Sequence, residues 1–408
     1  MIMGIRFLPW VALTLAAVTA AQGQPFSTWM LDSILARQDG ITSTGAMTRQ
    51  IENGIFQEAL RAAIERSDDA VQRGRWTEYH HRSVEQGIQE ALNASKDALD
   101  YGLDRLCLAR SLLELPPNGQ FDQQALEALR ESVRLQPRNA LGGLWYYANP
   151  PAPYNYHGDA SYGDGMYGYA PYAALWGSIT GDEVLNLDAA LTQLALIYRN
   201  ARDSTTGLVK HGYQLSRNAS WADTATGASP VIWGRSLAWY TVGLVDALEV
   251  AATRSPEVVA TVTYHRTQAL LRDIVAAEIE AVDKSVSETG RYGIWQVVDQ
   301  PEAPGNFIES SAGALITFAL AKTLRLGYMG DVHGRVSVLV RKMHQDLVER
   351  FVGHNQNGTL DYFGTSAMAS LHQPNVDYEY YVNLPVTTNS LIGTSAFVLA
   401  SLEIERMG

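Results

Sequence analysis

The sequence predicts an all-α fold built as a toroid of helical hairpins in a single domain. Apolar residues recur at intervals of three and four through most of the chain, which is the helical period. Strongly amphipathic segments also alternate with segments that carry almost no charge. An amphipathic helix exposes one face, whereas an uncharged helix is covered on all sides. We therefore expect an inner ring of helices wrapped by an outer ring; a superhelix of stacked hairpins has a similar period and is the alternative.

Helices and loops follow each other in a regular order. The periodicity predicts helices over residues 53–65, 83–99, 104–115, 122–135, 165–178, 183–201, 233–252, 256–282, 307–326, 334–351 and 389–404, with 293–298 as the best strand candidate. Four uncharged helices are preceded by loops rich in Gly, Asn, Asp, Tyr and Trp, at 157–165, 217–234, 299–310 and 375–390. If the inner helices are parallel, these loops meet at one end of the barrel, where functional residues usually lie.

The first 23 residues are predicted to be a secretion signal peptide, so the domain is assigned to residues 24–408. Arg6 supplies a positive charge, residues 7–18 are mostly apolar, and small residues follow. The apolar run is too short to span a bilayer, although a membrane anchor is the alternative. We expect a secreted, extracellular protein with no membrane association. The sequons at Asn93, Asn218 and Asn357 predict N-glycans if the host is eukaryotic.

Charge and cysteine content argue against several classes of protein. The formal net charge is −12, which argues against nucleic acid as a partner because phosphate binding needs clustered Lys and Arg. Cys107 is the only cysteine, so no internal disulfide is possible, and its apolar surroundings predict a buried small side chain. The chain has no HExxH or GxSxG motif, and no Walker-type or GxGxxG loop follows a predicted strand. We therefore predict no metal site and no nucleotide cofactor.

Three aspartates stand at the starts of predicted helices. Asp159 and Asp164 precede one uncharged helix, and Asp104 begins another. Acids in such positions usually cap the free backbone N–H groups, so capping is the simplest interpretation of Asp164. For Asp104 it is an ion pair with Arg105 or Arg110. Two acids at the mouths of two inner helices would also face each other across a cleft, where one carboxyl can stay protonated and the other ionised.

A second group of candidate residues lies in and around the loop at 217–234. It comprises His211, Trp233, Arg235 and Trp239. A guanidinium between two indoles suits a sugar ring that carries a carboxylate, because indoles stack on the apolar face and the guanidinium binds the charge. A buried cation–π pair without a ligand is the alternative. Glu309 begins another uncharged helix and is interpreted as its cap.

The order and content of several segments resemble one enzyme family. The segments are YGLDRLCLARSLLEL (101–115), SYGDGMYGYAPYAALWGSITGD (161–182), HGYQ (211–214), WADTATGASPVIWGRSLAWYTVGLVDALE (221–249) and WQVVDQPEAPGNFIESSAGALITFALAKTLRLGY (295–328). They are similar to those of the unsaturated glucuronyl and rhamnogalacturonyl hydrolases, glycoside hydrolase families 88 and 105, and most similar to family 105. The resemblance covers most of the chain after the signal peptide and implies an (α/α)6 barrel.

The resemblance also implies roles for particular residues. Asp164 falls on the family's general acid/base and Asp104 on its second active-site acid. The positions that contact substrate in the family are occupied here by His211, Trp233, Arg235 and Trp239. No metal or organic cofactor is implied. Two features depart from the family pattern: Gly163 behind Tyr162 replaces a large aliphatic residue behind a Trp, and His157 is only a possible counterpart of an upstream histidine.

The expected function is that of a secreted glycoside hydrolase acting on a small acidic oligosaccharide. The resemblance implies removal of a 4,5-unsaturated uronic acid from the non-reducing end of lyase-generated chains, with rhamnogalacturonan-type chains preferred. The reaction would be acid-catalysed hydration of the C4=C5 vinyl ether. The alternatives are an inverting glycosidase that cleaves saturated chains, and a barrel that binds glycans without catalysis. The sequence leaves the oligomeric state open.

Overall fold

A computed structural model describes residues 23–41, 46–96, 102–150, 152–153, 155 and 158–408. All of the predicted signal peptide except Gly23, and also His157, lie outside the described residues. None of the described helices combines the length and the apolar character that crossing a bilayer requires. The three sequon asparagines, Asn93, Asn218 and Asn357, are exposed, Asn93 at the end of a helix and the other two in loops.

The described helices form two concentric rings. The inner ring comprises α2 (Arg49–Arg66), a 3₁₀ helix (Leu103–Leu108) continued by α4 (Ala109–Glu114), α6 (Gly165–Thr180), α8 (Gly234–Arg254), α10 (Ser310–Arg325) and α13 (Leu391–Arg406). The outer ring comprises α1 (Phe26–Ala36), α3 (Ala70–Leu92), α5 (Gln123–Leu135), α7 (Leu187–Ala201), α9 (Val262–Thr289) and α11 (Arg335–Phe351), and a short α12 (Tyr378–Val382) lies in a loop. Each inner element packs against the next, and α13 packs back against α2. Because the ring closes, the all-α (α/α)6 prediction is confirmed and the open superhelix is wrong.

Burial follows the charge pattern of the sequence. All residues of α8 from 234 to 248 are buried, as are all those of α10 from 310 to 323. The outer helices α5 and α11 bury only one face each. The inner helices approach closely because small residues lie between them: a Cβ added at Gly243 would lie 2.4 Å from the carbonyl oxygen of Met166 on α6. Cys107 is buried as predicted, and burial raises the pKa of its thiol.

Within the described residues, six short strands pair into three antiparallel ladders. These are β1 (Ala160–Tyr162) with β2 (Gly212–Gln214), β3 (Val352–His354) with β4 (Leu360–Tyr362), and β5 (Thr365–Ser366) with β6 (Val386–Thr387). The predicted strand at 293–298 is wrong, because Trp295 and Val297 make only isolated bridges to Ile308 and Trp233. In the first ladder Tyr162 pairs with Gly212, which brings the start of α6 beside the chain that precedes β2.

Buried ion pairs join the inner helices at the barrel end opposite the four loops. Arg110 on α4 pairs with Glu58, Glu114 and Asp246. Lys322 on α10 donates to Asp246, with 2.6 Å between Nζ and Oδ1. Asp246 on α8 is fully buried, and cations from two other inner helices, α4 and α10, share its carboxylate. The network therefore ties four inner helices, α2, α4, α8 and α10, together through charge.

Glu278 on α9 is expected to make stability depend on pH. Its carboxyl accepts a hydrogen bond from Thr241, and its Oε2 has no hydrogen-bond partner among the described residues. Burial raises its pKa from 4.5 to about 8. Between these values the unfolded chain loses a proton that the folded protein keeps, so the free energy of unfolding falls as pH rises, by about 1.4 kcal/mol per pH unit.

Glu278→Gln should remove the contribution of Glu278 to the fall in the free energy of unfolding as pH rises. Urea unfolding at pH 5 to 8 would measure it as a flatter dependence of the variant's unfolding free energy on pH. Glu280→Gln is the matched control, because Glu280 is an exposed carboxyl on the same helix and should leave the dependence unchanged. Equal slopes for wild type and Glu278→Gln would contradict the prediction.

Candidate active site

A narrow cleft lies at the end of the barrel where the inner helices begin. Asp104, Asp164, Trp233, Arg235 and Trp239 line it together with Thr48, Ile51, Tyr146, Tyr147, Tyr162, Met368, Ala369 and Ile392. The predicted meeting of the loops is confirmed by contacts between them. The ring centres of Trp233 and Tyr381 lie 6.2 Å apart, and the Tyr378 hydroxyl donates to the carbonyl of Pro304. Five of the six predicted site residues thus share one cleft.

Asp164 directs its carboxyl away from its own helix. It stands immediately before α6 but makes no side-chain capping bond to the first turn, so the capping interpretation is wrong. Oδ2 instead accepts a hydrogen bond from the Ser236 hydroxyl on α8, at 2.5 Å. Burial raises the pKa of Asp164 to about 6, against the opposing effects of the Ser236 hydrogen bond and the charge of Arg235. A buried carboxyl of this kind retains its proton at mildly acidic pH, as a general acid must.

Asp104 is the second buried carboxyl of the cleft. The Tyr146 hydroxyl donates to its Oδ1 at 2.5 Å. The predicted ion pair is not supported, because Arg110 pairs with Asp246 and Arg105 donates to Ser132 and Gln136. Burial raises the pKa of Asp104 to about 7; the hydrogen bond from Tyr146 opposes this and the nearby charge of Asp164 adds to it. The pKa values of Asp104 and Asp164 are therefore both raised above the ordinary value of an aspartate.

His211 contacts Asp164 from behind and does not line the cleft. Its side chain is fully buried, and Nε2 lies 3.4 Å from Oδ2 of Asp164. Its other nitrogen lies against the Tyr381 hydroxyl. Burial, with a smaller contribution from the charge of Arg235, lowers the pKa of His211 to about 3. The imidazole is therefore neutral at ordinary pH and serves as a polar wall for Asp164 rather than as a cation.

Trp233, Arg235 and Trp239 occupy one side of the cleft at the start of α8. The guanidinium of Arg235 lies 4.9 Å from the centre of the Trp233 ring. Its NH1 and NH2 groups donate to the carbonyls of Ser366 and Ala367, and NH1 lies 3.6 Å from Glu309. Trp239 packs instead against Tyr167, with ring centres 4.4 Å apart. Arg235 thus forms a cation–π pair with one indole and is not held between the two.

Glu309 has the structural role that the sequence predicts. Its carboxylate accepts from the backbone N–H of Ala312 at 2.7 Å and so caps α10. It also accepts from the N–H of Ser366 at 2.8 Å, which fixes the segment that holds Arg235. The capping interpretation of Glu309 is confirmed.

Several contributors to the site were not identified from the sequence. Tyr146 stacks on Tyr162 with ring centres 4.3 Å apart and planes 5° from parallel, which forms an aromatic wall next to both acids. The Tyr162 hydroxyl contacts Nδ1 of His372, and Ser236 supports Asp164. The WYY run at 145–147 was the available signal for the wall. Nothing in the sequence distinguishes Ser236 from other small residues of an inner helix. Within the described parts of the chain, no three His, Cys, Asp or Glu side chains gather as metal ligands do.

Two buried carboxyls in an aromatic cleft at the mouth of an (α/α)6 barrel form an active site typical of a glycoside hydrolase. The Glycosyl Hydrolase Family 88 model matches residues 30–408, and the chain belongs to that family. Protein Atu3128 of Agrobacterium fabrum is 30% identical over 241 residues, which are 57% of this chain and 96% of that protein.

Solved structures share the fold. A family 105 glycoside hydrolase of C. acetobutylicum has a TM-score of 0.77 at 24% identity, over 94% of this chain and 100% of that one. The unsaturated glucuronyl hydrolase of Bacillus sp. GL1 has a TM-score of 0.62 at 13% identity, over 97% of each chain. The barrel is therefore common to proteins whose sequences have diverged widely.

Proposed function

We propose that this glycoside hydrolase removes the 4,5-unsaturated uronic acid from the non-reducing end of lyase-generated oligosaccharides, with rhamnogalacturonan-type chains as the preferred substrates. The observation that carries the proposal is the carboxyl of Asp164. It is buried, makes no capping bond to α6 and lies in a cleft with Asp104. Membership in family 88 and the structural similarity to an unsaturated glucuronyl hydrolase support it.

The chemistry needs one acid that also acts as a base. Protonated Asp164 gives its proton to C4 of the vinyl ether, and the positive charge that forms at C5 is shared with the ring oxygen. A water molecule adds at C5 and returns a proton to Asp164, so the acid is regenerated. The resulting hemiketal opens and releases the remaining sugar, so one water is consumed for each bond broken. Asp104, which accepts a hydrogen bond from Tyr146, lines the same cleft and positions the reacting groups.

The walls of the cleft fit a planar, anionic sugar. Tyr146 and Trp233 offer aromatic faces, on which an unsaturated pyranose ring can stack. Among the described lining residues Arg235 is the basic one, and its charge attracts the C6 carboxylate. Its NH1 and NH2 groups already donate to two backbone carbonyls. Arg235 therefore acts on the substrate carboxylate mainly through its fixed position and its charge.

Substrate entry requires the cleft to widen. Its free volume is about 30 Å³, enough for one or two water molecules and far less than a sugar ring. Met368 and Ala369, which follow β5, cover the cleft from one side. Outward movement of this segment admits the ring, and its return excludes water from the proton transfer.

A panel of oligosaccharides tests the proposal. Lyase digests of rhamnogalacturonan, pectin, ulvan, glucuronan and gellan would be incubated with the protein while the ultraviolet absorbance of the C4=C5 bond is followed. Loss of absorbance, fastest with the rhamnogalacturonan digest, is expected. Unchanged absorbance with every digest would refute the activity. Release of sugars from the intact polysaccharides without a lyase would favour an inverting glycosidase on saturated chains.

The pH dependence of the reaction follows from Asp164. The free enzyme must hold a proton on a group whose pKa is about 6, so kcat/KM should fall tenfold per unit as pH rises well above that value. Initial rates from pH 4.5 to 8, with circular dichroism at each pH to exclude unfolding, measure this. A rate that is constant or rising between pH 6 and 8 would show that Asp164 does not act as the acid.

We also propose that the protein is secreted after removal of residues 1–23. The charged start, the apolar run and the small residues that follow support this. The N-terminal sequence of the protein recovered from the medium of an expressing host tests it, and a chain that retains Arg6 would contradict it.

A further inference from the structure

Ser236 lies at the junction of three segments of the site. It is buried near the start of α8, and its Oγ is 2.5 Å from Oδ2 of Asp164 and 3.1 Å from the backbone carbonyl oxygen of His211. Both acceptors belong to other segments, so the hydroxyl does not form the bond to its own helix that serines commonly make. A hydroxyl carries one proton, and two acceptors therefore compete for it.

Gly163 leaves the space that this hydroxyl occupies. A Cβ added at Gly163 would lie 2.9 Å from Oγ of Ser236 and 3.3 Å from its carbonyl oxygen. The Gly163 N–H donates to the same His211 carbonyl, at 3.0 Å. A side chain at position 163 would therefore push against the group that contacts Asp164. The departure from the family pattern at Gly163 thus has a physical counterpart on α8.

We propose that Ser236 is a positioning residue for Asp164, and that Gly163 is required because it makes room for the Ser236 hydroxyl. The inference rests on the proposed function, in which Asp164 delivers and regains a proton. Its content is particular to this chain: a pair of small residues from two inner-ring segments controls the orientation and acidity of one carboxyl.

The second acceptor allows Ser236 to serve both protonation states of Asp164. When Asp164 is ionised, Ser236 donates its proton to Oδ2. When Asp164 is protonated, the hydroxyl donates to the His211 carbonyl and offers its lone pairs to the carboxyl. The carboxyl is therefore held in one orientation throughout the cycle. Because the bond to the ionised form is the stronger one, Ser236 also makes Asp164 more acidic than burial alone would.

Other charged and titratable groups also face Asp164 and must be kept constant in any test. They are Arg235 from α8, His211 from the segment before β2, Asp104 from the 3₁₀ helix, and the phenols of Tyr146 from a loop, Tyr162 from β1 and Tyr381 from α12. Ser236 and Gly163 are uncharged, so substituting them changes none of these charges.

The first experiment compares Ser236→Ala and Ser236→Thr with wild type. For Ser236→Ala we expect a kcat about tenfold lower on the acidic plateau, and an alkaline limb of kcat/KM about one pH unit higher. Ser236→Thr retains the hydroxyl and should restore the position of the limb. A merely structural serine would alter the amount of folded protein but not the limb. An unmoved limb in Ser236→Ala, or a Thr variant that behaves like Ala, would overturn the proposal.

The second experiment is a double-mutant cycle with Gly163→Ala. Alone, Gly163→Ala should displace the Ser236 hydroxyl and move the limb upward, as Ser236→Ala does. When Gly163→Ala is combined with Ser236→Ala, the alkaline limb of kcat/KM should move no further than in Ser236→Ala alone. The added methyl then occupies the space that Oγ has left. Additive shifts in the double variant would show that the two positions act separately and would refute the pairing.

Direct titration separates this inference from the proposed function. Carboxyl ¹³C resonances of wild type and Ser236→Ala can be followed against pH, with Asp164→Asn used to assign the Asp164 signal. A higher pKa of Asp164 in Ser236→Ala supports the positioning role even if no unsaturated uronide is hydrolysed. An unchanged pKa overturns that role even if the digests are hydrolysed.

Discussion

Asp164→Asn is expected to lower the rate of unsaturated-bond loss by about 10²- to 10⁴-fold while the barrel remains folded, because it removes the proton that the reaction consumes. The amide has the shape of the carboxyl and can still accept the hydrogen bond from Ser236. The aromatic wall and Arg235 are untouched, so the variant should still bind substrate. Rates on a lyase digest, together with binding of the same digest by calorimetry, measure the two effects separately.

Asp159→Asn is the matched control. Asp159 belongs to the same glycine-rich stretch, but its carboxyl accepts hydrogen bonds from Gln214 and Ser216 and does not line the cleft. We expect nearly wild-type rates. If Asp164→Asn were as active as Asp159→Asn, the assignment of the acid would be wrong. If wild type bound glycans but never converted them, the barrel would be a binding protein.

Asp246→Asn is expected to lower the free energy of unfolding by about 3–5 kcal/mol, the usual cost of breaking a buried ion pair from one side. Burial opposes ionisation of Asp246, but Lys322 and Arg110 together hold its pKa below the ordinary value. The amide removes the buried carboxylate that both cations share. Among the described residues, Arg110 then keeps only Glu58 and Glu114, and Lys322 keeps only the partly exposed Glu249. Urea unfolding at pH 7 measures the loss.

Glu249→Gln provides the comparison for Asp246→Asn. Glu249 also contacts Lys322, but its side chain is 27% exposed and water can replace part of the interaction. Its loss should cost less than about 1 kcal/mol. Because Asp246 and Glu249 lie far from the acids, turnover per folded molecule should be unchanged in both variants. Equal destabilisation by the two substitutions would contradict the importance assigned to the buried carboxylate.

The two rings of helices were predictable because the number of charged residues in a segment indicates how much of its helix is buried. An inner helix such as α10 has no solvent-facing side until its last turn, so it is almost free of charge, and an outer helix such as α11 has a wet face. The same reasoning brought Asp104 and Asp164 together, since each stands at the start of an inner-ring element. The strand prediction at 293–298 was wrong because an extended segment with alternating residues found no continuous partner.

The orientation of individual side chains could not be predicted from the sequence. A carboxylate at a helix start can turn toward its own helix or away from it, and for Asp164 the choice is made by Ser236, which is 72 residues away in the chain. Tyr146 reaches Asp104 from an irregular loop, where no periodicity indicates its direction. His211 was expected to contact substrate, but it lies beside Asp164 behind the cleft wall, with its other ring nitrogen against Tyr381.

Closure of the ring by α13 has a consequence for how the molecule is made. The helix packs against α1 and α2, and Glu405 accepts a hydrogen bond from Ser27, 378 positions earlier. During translation the barrel stays open until residues 391–406 have left the ribosome. Closure is then the least local step of folding, and such steps are slow. Until it occurs, α2 and α10 lack a neighbour and expose apolar surface. The yield of native protein therefore depends on how well the nascent chain is kept from aggregating before its last inner helix arrives.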